Sequence, residues 1–156
     1  MNILILCPKV PWPPKDGGAI ATLSMAGALK KTGNHVQILA LNTSKHYISE
    51  SDIPARLIEE TGLETVFVNT RIRAGKLLTN LLFSHKPYNG VRFYVRPYIR
   101  RLIRVLRQHH WDIVQLEGPY MGLYLHIIRT HTRARIVMRA HNAEFRIWER
   151  NALFEK

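Results

Sequence analysis

Asn2-Ile3-Leu4-Ile5-Leu6-Cys7, then Pro8-Lys9-Val10-Pro11-Trp12-Pro13-Pro14, then Lys15-Asp16-Gly17-Gly18, is the stretch that decides the fold. The first six residues form an apolar run of the length a buried parallel strand needs, and proline ends it sharply. From Ala19 the apolar residues Ile20, Leu23, Met25, Ala26 and Leu29 recur at helical spacing until Gly33 stops them. The order is therefore strand, stiff loop, helix. Glycines at a helix start let backbone N–H groups approach a ligand, and the positive end of the helix dipole favours an anion such as a diphosphate there. A plain loop-to-helix turn is the competing reading of Gly17-Gly18.

Apolar runs and helical patterns keep alternating along the rest of the chain. His35 to Leu41 reads as a second strand and Thr65 to Val68 as a third. Between them Asp52 to Glu60 reads as a short helix, with Asp52 as its cap ahead of Ile53-Pro54. Thr43 to Ser51 is the most loop-like segment. Ala74 to Phe83 reads as a helix and Ser84 to Gly90 as a turn-rich loop. A basic helix follows, started or kinked near Pro97. Asp112 to Leu116 is a fourth strand, Tyr120 to Arg129 a helix, Arg135 to Arg139 a fifth strand, and Phe145 to Lys156 a closing helical segment. Strands alternating with helices imply right-handed βαβ units. The expected fold class is α/β, a Rossmann-like doubly wound parallel sheet, as one domain over 1–156.

In such sheets ligands bind beyond the carboxyl ends of the strands, near the switch in strand order. Three loops then share one edge: Asp16, Gly17 and Gly18 after the first strand, Glu117 after the fourth, and His141, Asn142 and Glu144 after the fifth. His141 is either a hydrogen-bonded structural residue or a partner for a sugar hydroxyl near neutral pH. Glu117 and Glu144 are either solvated loop acids or hydroxyl acceptors.

Other chemistries find little support. The glycine pair lacks the third glycine and the short strand-to-glycine spacing of a dinucleotide fingerprint, and no Walker lysine follows it. The three aspartates, Asp16, Asp52 and Asp112, make no Asp-x-Asp pair, and the eight histidines no zinc-type i, i+4 pair. No metal and no cofactor is expected. The lone Cys7 lies in the first strand run and reads as a packed thiol.

The formal charge is +12, from 23 Lys and Arg against 11 Asp and Glu, which suits an anionic partner without saying which. Arg92, Arg96, Arg100, Arg104 and Arg107 recur at three- and four-residue steps among apolar residues. With Arg101 beside them, Arg96, Arg100 and Arg104 form either a plain surface face or a stripe that lies on anionic lipid. Hydrophobic content of 46% with 22% charged residues fits a globular chain, and no apolar stretch reaches spanning length. With no secretory leader at the N-terminus, the expected location is the cytoplasm, peripheral on the inner membrane face. The competing function is a basic, non-enzymatic module binding nucleic acid or an anionic surface, although the aromatics form no stacking platform and no nucleic-acid motif is present.

Taken in order, Pro11 to Gly18, Leu29 to Val36, Gln115-Leu116-Glu117 and Arg139-Ala140-His141-Asn142-Ala143-Glu144 resemble the N-terminal half of family 4 glycosyltransferases over essentially the whole chain. The resemblance implies a GT-B enzyme: two Rossmann-like domains across a cleft, and retaining, metal-independent transfer from a nucleotide-sugar donor to a glycan or lipid-linked acceptor in cell-surface polysaccharide synthesis. It implies that Gly17 and Gly18 approach the donor diphosphate and that catalytic His141 lies beside the transferred sugar. Glu117 becomes an acceptor-side contact by position. The family's second domain carries two glutamates eight residues apart, and nothing after His141 supplies them. The expectation is therefore an acceptor-side domain with its donor-binding C-terminal partner absent, and little transferase activity alone. Asn34 also separates Gly33 from His35, where the family commonly has glycine and histidine adjacent.

Overall fold

The five strands form one all-parallel sheet in the order β3-β2-β1-β4-β5. This is a computed structural model, and it describes residues 1–70, 94–140 and 153. The strands are β1 (Asn2–Cys7), β2 (His35–Thr43), β3 (Glu64–Val68), β4 (Ile113–Glu117) and β5 (Arg135–Arg139). The helices are α1 (Gly17–Lys31), α2 (Ala55–Thr61), α3 (Arg96–Gln108) and α4 (Leu125–His131), with 3-10 turns at Glu50–Asp52 and Pro119–Tyr124. Helices cover both faces, so the fold is Rossmann-like, α/β and doubly wound, as the alternation predicts.

Both faces of the central strands are buried, which is why they read as continuous apolar runs. Ile3, Ile5 and Cys7 of β1 pack with Val36, Ile38 and Ala40 of β2 on the face that α1 covers. Leu4, Leu6, Leu39 and Leu41 point the other way, onto Tyr98, Leu102 and Val105 of α3 and Ile128 of α4. Each such side chain contributes about 1.5–3 kcal/mol by leaving water. Tyr98 is fully buried and meets its polar need by donating to the Leu39 carbonyl at 3.0 Å.

Two local expectations need correction. Asp52 does not cap a helix: it ends the 3-10 turn, and α2 starts three residues later with extended Pro54 at its N-cap. Proline disfavours helical geometry in the residue before it, so Ile53 stays extended (φ −93°, ψ 120°) and separates the two turns. The stretch from Tyr120 divides into a 3-10 turn and α4 rather than one helix. At the end of α2, Gly62 takes a left-handed φ of 57°, and an added Cβ would meet the Val36 carbonyl oxygen at 3.0 Å.

The segments predicted at Ala74 to Phe83 and Ser84 to Gly90 lie outside the described residues, as does that from Phe145, save helical Leu153. Among the described residues no helix is long and apolar enough to cross a membrane.

Candidate functional site

The strand order reverses between β1 and β4, since β2 and β3 lie on one side of β1 and β4 and β5 on the other. Loops leaving adjacent strands part there in opposite directions and open a crevice at the carboxyl edge. A cavity of about 760 Å³ occupies that place. Asp16, Gly17 and Gly18 form one wall, and Glu117, Arg139 and Ala140 face them. The sequence-predicted residues after β1 and β4 thus share one mouth. His141, Asn142 and Glu144 lie outside the described residues, although Ala140, covalently next to His141, lines the cavity.

Gly17 begins a 15-residue helix whose N-cap is Asp16. The Asp16 carboxylate accepts the Ala19 N–H at 3.0 Å and is ion-paired with Lys9. The Lys9 ammonium, then the Ala19 amide, hold its carboxyl below the ordinary carboxylate range. An incoming anion therefore meets a neutralised pair at the helix end. A Cβ added at Gly17 would meet no atom within 4 Å, so space in front of this residue is open.

Glu117 is the floor of the cavity rather than a projecting acid. It is 1% exposed, and Arg139 grips both of its oxygens: Nε donates at 3.1 and 3.0 Å and Nη2 at 2.6 Å. The two residues sit directly opposite in the β4–β5 register. Gln115, on the same face of β4, also donates to Glu117. The Thr22 hydroxyl accepts from Arg139 Nη2 at 2.7 Å and has its own proton for Glu117 Oε2 at 3.1 Å or the Gly18 carbonyl at 2.8 Å. This network ties β4, β5 and the first turns of α1 together. A buried carboxylate demands a paired cation and further hydrogen bonds, and here it has both.

Arg139 and Thr22 line the cavity and Gln115 donates to Glu117 beneath it, roles that the sequence does not single out. A usable signal exists: Gln115 and Glu117 stand two apart at the end of an apolar strand, and a polar threonine interrupts the buried side of α1. Cys7 also reaches the cavity wall at 2% exposure. Burial foremost, then the nearby Glu117 charge, pushes its thiol far above the ordinary range, so it is not a nucleophile.

The basic helix stands apart from this mouth. Arg96, Arg100, Arg104 and Arg107 are exposed on α3, within an arc of about 80° at 3.6 residues per turn. Arg101 turns the other way: it is paired with Glu64 of β3, with Nη2 2.6 Å from Oε2. It belongs to the helix–sheet contact rather than to the open stripe.

Among the described residues no three His, Cys, Asp or Glu side chains are grouped to hold a metal ion. No family model and no curated protein matches the chain.

Proposed function

We propose that the chain is the acceptor-side half of a retaining, metal-independent glycosyltransferase with GT-B architecture, acting with a second, donor-binding domain across the cavity. The observation that carries this reading is the cavity at the β1/β4 switch, with a glycine-started helix on one wall and the residue preceding His141 on the other. Its size suits a sugar with part of a diphosphate.

On this reading the amides at Gly17 and Gly18 and the α1 dipole draw the developing negative charge of the leaving diphosphate. Lys9 offsets the Asp16 charge that would otherwise repel it. Arg139, fixed by Glu117 and Thr22, lines the cavity beside a hydroxyl or phosphate oxygen. The resemblance assigns His141, the residue after Ala140, to the transferred sugar. Holding donor and acceptor in one geometry supplies the rest of the rate enhancement. The exposed stripe of Arg96, Arg100 and Arg104 keeps the mouth near an anionic membrane face where lipid-linked acceptors reside.

Equilibrium titration with nucleoside-diphosphate sugars in the presence of EDTA tests the reading. Weak, saturable binding is expected, and Gly17→Leu should abolish it, because the new side chain starts from a Cβ position that meets no protein atom within 4 Å and occupies cavity space. Binding that needs added divalent ion, or that survives Gly17→Leu, contradicts it.

A further inference from the structure

We propose that a second pocket, at the ends of β2 and β3, binds the phosphate group of a phosphorylated acceptor. The pocket encloses about 240 Å³ and shares Pro8 and Lys9 with the larger cavity, so one ligand can reach into both. Its other described walls are Thr43, Lys45, His46, Thr70 and Tyr120. In the larger cavity each cation is matched by an acid, Lys9 by Asp16 and Arg139 by Glu117. Here, among the described residues, Lys45 and His46 stand over the pocket with no carboxylate in its lining.

Thr43 points independently to a ligand. It is the last residue of β2 and only 3% exposed. Its backbone is satisfied, facing Val68 in the sheet and accepting the His46 N–H at 3.0 Å. Its hydroxyl, however, bonds to no described residue, and buried hydroxyls are rarely left so. Beside it Thr70, 8% exposed, shares a 3.2 Å hydroxyl contact with Ser44, whose oxygen also accepts the Thr70 N–H at 3.1 Å. When Ser44 gives its proton to Thr70, the Thr70 proton is free for a ligand oxygen. Two hydroxyls, the Lys45 ammonium and an imidazole offer donors to several oxygens at once, which suits phosphate better than a group with fewer acceptors.

That this phosphate belongs to an acceptor rests on the transferase reading; that the pocket binds phosphate does not. The test is amide chemical-shift titration of the full chain at fixed ionic strength with inorganic phosphate, glucose 6-phosphate and glucose. Both phosphates should saturably shift the amides of Thr43, Lys45, His46 and Thr70, and glucose alone should not. Lys45→Ala with His46→Ala, both at exposed positions, should weaken phosphate binding about tenfold, the loss expected for charge-assisted bonds. Thr43→Val should weaken it about fivefold while leaving the melting temperature equal or higher, since it removes an unpaired buried hydroxyl. Arg129→Ala with Arg133→Ala, at the basic surface at the opposite end of the sheet, should change nothing. Equal phosphate shifts at Arg129 and Arg133, or wild-type affinity in the Lys45/His46 double variant, overturns the proposal. Because no transfer is measured, this binding can fail while the transferase reading stands, or succeed while that reading fails.

Discussion

Replacing Arg139 with methionine should be among the most damaging changes at the cavity, and its cost follows from the burial of its partner. Glu117 is 1% exposed, while the Arg139 side chain is 27% exposed. Arg139→Met removes three charge-assisted contacts from a carboxylate in the interior, to which Gln115 and Thr22 still donate. Stranding one member of a buried pair costs about 3–5 kcal/mol, and the partial exposure of Arg139 puts this case near 3. For a domain of this size that lowers the melting temperature by about 6–12 °C. The double variant Arg139→Met, Glu117→Leu removes the stranded charge as well and should recover to within about 1 kcal/mol of wild type. Urea unfolding followed through Trp111 fluorescence measures both, because this indole is 1% exposed. A loss below about 1 kcal/mol in the single variant, or a double variant no better than the single, would refute the network's structural role.

Further outcomes follow from the same geometry. Asp16 has a depressed folded-state pKa, so its charge stabilises the protein above the unfolded value near 3.8, and that contribution disappears as pH falls through the folded value. Asp16→Asn keeps a capping side chain but should flatten the stability profile below about pH 4; an unchanged acid limb in equilibrium unfolding would count against the Lys9 pairing. Cys7 should resist alkylation in the native state and react on unfolding, and rapid native labelling followed by mass spectrometry would contradict its burial. Gly62→Ala and Gly118→Ala should both destabilise: at Gly62 alanine meets a left-handed φ, at about 1–2 kcal/mol, and a contact with the Val36 carbonyl, while Gly118, at φ 82° and ψ 167°, lies where essentially only glycine is found. Thermal melts of the two variants check the losses, and a wild-type melting temperature in either contradicts its backbone geometry.

The fold was legible because this sheet is buried on both faces. The runs Asn2–Cys7 and Arg135–Arg139 match strands end to end, and His35 to Leu41 falls short of its strand by only Asn42 and Thr43. Those two end the strand as buried polar residues, so hydrophobicity could not announce them. The same limit hid half of the site. On α1 the periodicity assigns Ile20 to the core, yet Ile20 is 50% exposed while Thr22 is buried, because a hydrogen-bonded hydroxyl occupies that side. Gly17, Gly18 and Glu117 can be placed at this edge from sequence because loops after strands are predictable places. Arg139 cannot, because its role depends on lying opposite Glu117 in the register and near Thr22, 117 positions away in sequence. The second pocket likewise joins Thr43 to Thr70 through sheet pairing that no local pattern encodes.

The most direct test of the cavity as a sugar-phosphate site is a residue-resolved binding map. With isotope-labelled chain and a nucleoside-diphosphate sugar, the account predicts saturable amide shifts centred on Gly17, Gly18, Ala19 and Gly118, together with the Arg139 side chain. Saturable shifts elsewhere, at the opposite edge around His109 and Arg133 for example, with the α1 amides unmoved, would contradict it.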